Sequence, residues 1–242
     1  MPYSVSSYLL GQQQISPFNL ADATSRMQPG TLVQAVDPYW GAGEFMYVKA
    51  GGAIRQYGVV VLTPAPASGA YVFTATEVPN TANLGRPLGV AMTAMDSGDF
   101  GWICVGGVVP VNCQAAVAAD TAFGIAAAGQ GGANSAGKQI LSARVVGAST
   151  TTVAKANSVA NSGSKLLYVT NSDGWFAGIY LSGTGIAAGC TVTDISPDGT
   201  QITLSAATTA AVNGTVTGTY NNATVYYNIA HLNRPFAQGA IT

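Results

Sequence analysis

Charge is what this chain has least of. Only 8% of its 242 residues are Asp, Glu, Lys or Arg, against about 25% in an ordinary globular domain. Nine basic and ten acidic residues leave a formal net charge of −1. The basic residues stand singly, so there is no stripe for a phosphate backbone to read, and nucleic-acid binding is excluded. No apolar run of about 18 residues occurs, so no membrane-spanning helix is expected. Residues 1–14 lack the charged and apolar regions of a signal peptide, which predicts a chain made in a reducing cytoplasm.

The reactive residue types are just as sparse. His231 is the only histidine, and no Gly-x-Ser-x-Gly elbow accompanies it, so a serine triad has no other base to draw on. Cys104, Cys113 and Cys190 are odd in number and lack metal-ligand spacing, and Cys104 reads as a small buried hydrophobe. Asp96 and Asp99 frame Ser97-Gly98, a turn in which aspartates bond their own backbone. Asp194 and Asp198 lack the further oxygen ligands of a calcium loop. Gly183 to Gly189 reads GTGIAAG, one residue too long for a dinucleotide fingerprint and followed by a strand instead of a helix. No catalytic, cofactor-binding or metal site is expected, and the protein is not expected to be an enzyme.

What the chain does have is 30 glycines, 48% hydrophobic residues, and many threonines and valines. Short apolar segments recur at roughly ten to twelve residues between turn signals, the spacing of a sandwich or barrel. The run Leu84 to Cys113, LGRPLGVAMTAMDSGDFGWICVGGVVPVNC, is the centre of this pattern. It predicts strands at Pro87 to Thr93 and Phe100 to Val105, then a bend at Gly106-Gly107 and a further strand at Val108 to Val111. Upstream, Pro64-Ala65-Pro66 is expected to end a strand over Gln56 to Leu62. Downstream, Gly129 to Asn134 reads as a loop, and Gly124 weighs against a helix over Ala115 to Ala128.

The pattern PLGVA, turn, GDFGWICVGGVVPV resembles small all-β capsid decoration (cement) proteins of tailed bacteriophages. Three other segments fall in that family's order: QPGTLVQAVDPYWGAGEFMYVKA (Gln28 to Ala50), AGKQILSARVVGA (Ala136 to Ala148) and NRPFAQGAIT (Asn233 to Thr242). The expected fold is all-β, an antiparallel sandwich or barrel-like core carrying an inserted small β module and an extended N-terminal arm. The arm is 1–29, the capsid-binding core 30–147 plus 223–242, and the projecting module 148–222. The module is set apart by its Ser, Thr, Asn and Gly content and by its own short strands with an Asp198-Gly199 hairpin turn.

The resemblance implies a virion protein on the outer surface of the capsid. Its partner would be the major capsid protein, and it would act as a homotrimer or other homo-oligomer that clamps neighbouring capsomers. Phe18, Tyr39, Trp40 and Phe236 are the candidate subunit or capsid interface residues, since Tyr and Trp concentrate binding energy at interfaces. For Trp40 a plug over the sheet end is the competing reading. The rival function is a head fibre or adhesin whose inserted module binds a host-surface glycan.

Overall fold

The computed structural model describes residues 4–5, 18–37, 39–67, 70–222 and 224–240. Along them run the strands β1 Ser4–Val5, β2 Leu32–Asp37, β3 Gly41–Ala50, β4 Val59–Ala67, β5 Ala70–Glu77, β6 Leu88–Ala91 and β7 Phe100–Cys113. Next come β8 Thr121–Ala127, β9 Gln130–Ala133, β10 Gln139–Gly147, β11 Thr152–Ala160 and β12 Leu166–Tyr168. The last are β13 Tyr180–Ser182, β14 Val192–Ile195, β15 Gln201–Leu204, β16 Val212–Thr219 and β17 Tyr226–Ala237. No helix occurs among the described residues. The protein is all-β, in barrel-like and sandwich arrangements.

The chain forms two compact units. The first holds Tyr3–Val36, Trp40–Ala148 and Tyr227–Thr242, and the second Asp37–Tyr39 with Ser149–Tyr226. In the first, one sheet runs β1-β2-β3-β5-β4-β6-β7-β17-β10-β8-β9, with additional pairings β3–β7 and β7–β9. Those two extra pairings close it into two five-stranded rings, β3-β5-β4-β6-β7 and β7-β17-β10-β8-β9, which share β7. A walk round a closed ring must return to its starting strand direction, so antiparallel contacts come in even number. Five contacts therefore require a parallel seam. Each ring has one: β3 meets β5 at Lys49↔Thr74 and Ala50↔Ala75, and β7 meets β9 at Cys113↔Gly131.

β7 corrects one sequence expectation. Gly106-Gly107 does not divide two strands but lies inside a single strand of 14 residues. Its first half pairs with β3 on one side, as in Tyr47↔Trp102, and with β6 on the other, as in Val90↔Cys104. Its far end serves the second ring. The change of partner passes through Gly107, at φ +107, where a Cβ would lie 2.6 Å from the Ala42 carbonyl oxygen. Glycine satisfies both demands, positive φ and close backbone approach.

β4 is a second correction. Pro64 and Pro66 do not end it, and the strand continues to Ala67 beside β5. The Leu62 N–H donates to the Pro87 carbonyl at 3.0 Å, away from β5. By alternation the Pro64 and Pro66 nitrogens face that same side, where β6 has not yet begun, so no ladder bond is lost. Gln130–Ala133 is likewise a strand where a loop was expected, because Gly131 completes the second ring's seam. A Cβ there would stand 2.1 Å from the Phe123 ring.

Inside the first ring lie Val48, Val60, Leu62, Ala91, Ile103 and Val105, all buried. The alternate residues of β3 and β7, Phe45, Tyr47 and Trp102, face outward yet are equally buried, because residues 18–30 cover them. Phe18 packs 4.5 Å from the Phe45 ring and 5.0 Å from Trp102, centroid to centroid. Asp22 and Phe100 exchange backbone hydrogen bonds, and the Asp22 carboxylate accepts from Tyr47 Oη at 3.0 Å and pairs with Arg26 at 2.7 Å. The later part of the expected arm is thus fastened to this chain's own core. The earlier part, apart from Ser4–Val5, lies outside the described residues.

The second unit has the sheet order β13-β16-β11-β12-β15-β14. Its two ends meet through Tyr180↔Thr191, with the Leu181 N–H donating to Cys190 and the Val192 N–H to Ile179. Six contacts allow an entirely antiparallel ring, and that is what forms. Trp175 and Phe176 are buried. Trp175 Nε1 donates to the Val153 carbonyl at 2.9 Å, and Tyr220 Oη to that of Gly174 at 2.9 Å. β11 went unread in the sequence because TVAKANSVA lacks apolar alternation. The unit takes in Asp37–Tyr39, which the boundary at 148–222 leaves out.

Gly107→Ala should lower stability by several kcal/mol, since strain and overlap add. Gly98→Ala, at φ +97 with nothing within 4 Å of its would-be Cβ, should cost about 1 kcal/mol. Chemical denaturation of both variants checks the ranking, and equal losses would remove Gly107 as the pivot.

Candidate interaction surface

The polar clusters singled out in the sequence resolve into turns and ion pairs. Asp99 Oδ2 accepts from the Asp96 N–H at 3.1 Å, and the Asp99 N–H donates to the Asp96 carbonyl at 3.1 Å. The Ile186 N–H donates to the Gly183 carbonyl at 3.1 Å, so the glycine run makes a tight turn. Among the described residues no group of three His, Cys, Asp or Glu is placed to hold a metal ion. Burial pushes the Cys104 and Cys113 thiols up to about 12. They stay protonated and unreactive at neutral pH.

The four aromatic interface candidates part company. Phe18 and Trp40 are 6% and 9% exposed, buried within their own chain, so neither is an exposed anchor. Tyr39 and Phe236 are 52% and 41% exposed. Tyr39 belongs to the second unit, where its N–H donates to Asp37 Oδ1 at 2.8 Å. Phe236 belongs to the first and is the one that borders a cavity.

That cavity, about 280 Å³, is lined by Leu32, Met46, Leu62, Val105, Pro235 and Phe236 among others. Leu62 and Val105 also belong to the interior of the first ring, so the groove is the mouth of that ring. A bulge in β17 shapes its rim. β10 advances two residues, Leu141 to Ala143, while β17 advances four, Phe236 to Leu232. The surplus is Asn233-Arg234-Pro235, with Arg234 at φ +49. Bulges re-aim side chains, and this one carries the Arg234 guanidinium to Glu44, at 2.8 and 3.0 Å, and Pro235-Phe236 to the groove. The guanidinium's hydrogen bonds hold the Glu44 carboxyl below its usual range.

No family model, curated protein or solved structure matches the chain. The surface must therefore be read from its own chemistry: an apolar mouth, one ion pair on the rim, and little charge. The Asn-Arg-Pro-Phe segment stood out in the sequence, but its pairing with Glu44, 190 residues away, left no local signal. Leu32 was legible as an outward position of an alternating strand, though not as part of a groove.

The Glu44–Arg234 pair should make stability depend on acid. Because the folded carboxyl titrates below the unfolded value of about 4.3, the pair stabilises above that pH and loses its effect as pH falls through the folded value. Melting temperatures from pH 7 down to 3 should fall more steeply for the native chain than for Glu44→Gln. Parallel curves would show that the pair contributes nothing.

Proposed function

We propose that the protein is a capsid decoration protein of a tailed bacteriophage, a structural component bound to the outer surface of the head. It acts as a trimer or similar homo-oligomer that bridges neighbouring capsomers of the major capsid protein. One observation carries this reading. The four segments that resemble decoration proteins build β2–β3, β6–β7, β10 and the end of β17, and all of them fall in the double-ring unit or reach its edge. The resemblance therefore follows a folding unit and not scattered stretches of chain. Contacts by such a surface are apolar and backbone-based, weak singly, and strengthened by repetition over the lattice.

The second unit supports a second reading for itself alone. On its outer wall Tyr168 is 51% exposed, opposite Val159 in register, with Gln201 Nε2 donating to its hydroxyl at 3.2 Å. An exposed ring beside neutral amides suits stacking of a sugar, as a host-attachment module requires.

Purified protein added to expanded, undecorated heads of its own phage should appear by cryo-electron microscopy as regular density on the outer lattice. Density inside the head or in the tail overturns the proposal. Gly147 and Ile229 are register partners on adjacent antiparallel strands, so a short Gly/Ser linker replacing 149–226 should close the first unit as a hairpin. The shortened protein should fold and still decorate heads. If it does so while virions adsorb poorly to cells, the second unit is the attachment module; if no folded protein is recovered, the two units are not separable.

A further inference from the structure

β1 and β2 lie outside both rings. β1 is fixed to β2 by two register pairs, Ser4↔Val36 and Val5↔Ala35. The twelve residues 6–17 join it to Phe18, which is locked against Phe45 and Trp102. Twelve residues reach up to about 40 Å when extended, enough to carry β1 to a neighbouring molecule while Phe18 stays in place. The pairs made on a neighbour's β2 would be the same as those made at home, so exchange sacrifices no contact; this is why swapping is a low-cost route to oligomers.

The register also says where such a strand leads. Position numbers across the β1–β2 pair sum to 40, and following that sum down β2 brings residue 8 opposite Leu32, on the wall of the apolar groove. The apolar run of the joining segment is Tyr8-Leu9-Leu10. Exposed Leu32 and Phe236 are 47% and 41% accessible, and a formal net charge of −1 leaves little repulsion between copies.

We propose that the N-terminal segment 1–17 of one copy pairs with β2 of a second copy and lays Tyr8–Leu10 in that copy's groove. The occupant is thus a second molecule of this chain, and the inference rests on the homo-oligomer of the proposed function. It makes the groove the receiving half of a swapped contact and the arm the donating half.

The test uses Ser4→Cys and Val36→Cys, two positions that face each other across the pair. Antiparallel partners have Cα atoms about 4.5 to 5.5 Å apart, within disulfide range. The native cysteines are all buried and do not compete. The two full-length single variants are purified apart, mixed and oxidised, and run on a non-reducing gel. A disulfide-linked dimer in the mixture, absent from either variant alone, is the expected result. The proposal is overturned if the mixture gives no such dimer while the double variant closes a bond within one chain, which places the arm at home. It is equally overturned if neither preparation forms the bond. Deleting 1–17 should also shift the mass measured by light scattering from oligomer to monomer, and an unchanged oligomer counts against it. Decoration of heads is scored separately: a chain that decorates without cross-linking loses the exchange and keeps the function, and one that cross-links without decorating does the reverse.

Discussion

Everything in the first unit depends on one strand belonging to two rings at once. A strand has two edges, and β7 must offer both of them to β3 and β6 and then both again to β17 and β9. Without a change in edge direction part-way, the two sets of neighbours would claim the same space. Gly106-Gly107 supplies that change. The backbone of Ala42-Gly43 then presses so close to Gly107 that no side chain fits. The aromatic cover over Phe45, Tyr47 and Trp102, the interior of the first ring and the groove at its mouth are all placed by that crossing.

Low charge and ring closure are two sides of the same arrangement. Strand edges with bare N–H and C=O groups invite pairing with other chains, and soluble proteins commonly blunt them with lysine or other charges. This chain has few charges to spare. It closes its sheets on themselves instead, twice with a parallel seam and once entirely antiparallel. At β4, where a stretch runs past its neighbour, two prolines present no donor.

How much of this could be read from the sequence varied with the range of the interaction. Strand existence was largely legible, because alternation and turn chemistry act over a few residues, as in Asp96 to Asp99. The all-β class followed from the same signals. β11 was missed because small and polar residues form its strand only when β16 and β12 flank it. Phe18 looked like a loose aromatic of an arm, since nothing near it in sequence reveals Trp102. The groove was hidden for the same reason: its walls come from β2, β3, β4, β7 and β17, and its rim pair joins residues 44 and 234.

The shared strand has a consequence for the order of assembly during synthesis. All five strands of the first ring lie between Gly41 and Cys113, so that ring has its full complement once this stretch has left the ribosome. The second ring already contains β7, β8, β9 and β10 by Gly147, but its wall lacks β17 until Tyr226–Ala237 is made. Between the two comes the whole second unit, free to fold as a body of its own. For that interval β7 stands finished along one half and exposed along the other, and its apolar Val109 and Val111 wait for a partner. Domains generally fold as units in the order they are made. Here one strand is obliged to belong first to an early unit and then to a late one, and the C-terminal strand acts as the stave that closes the cask.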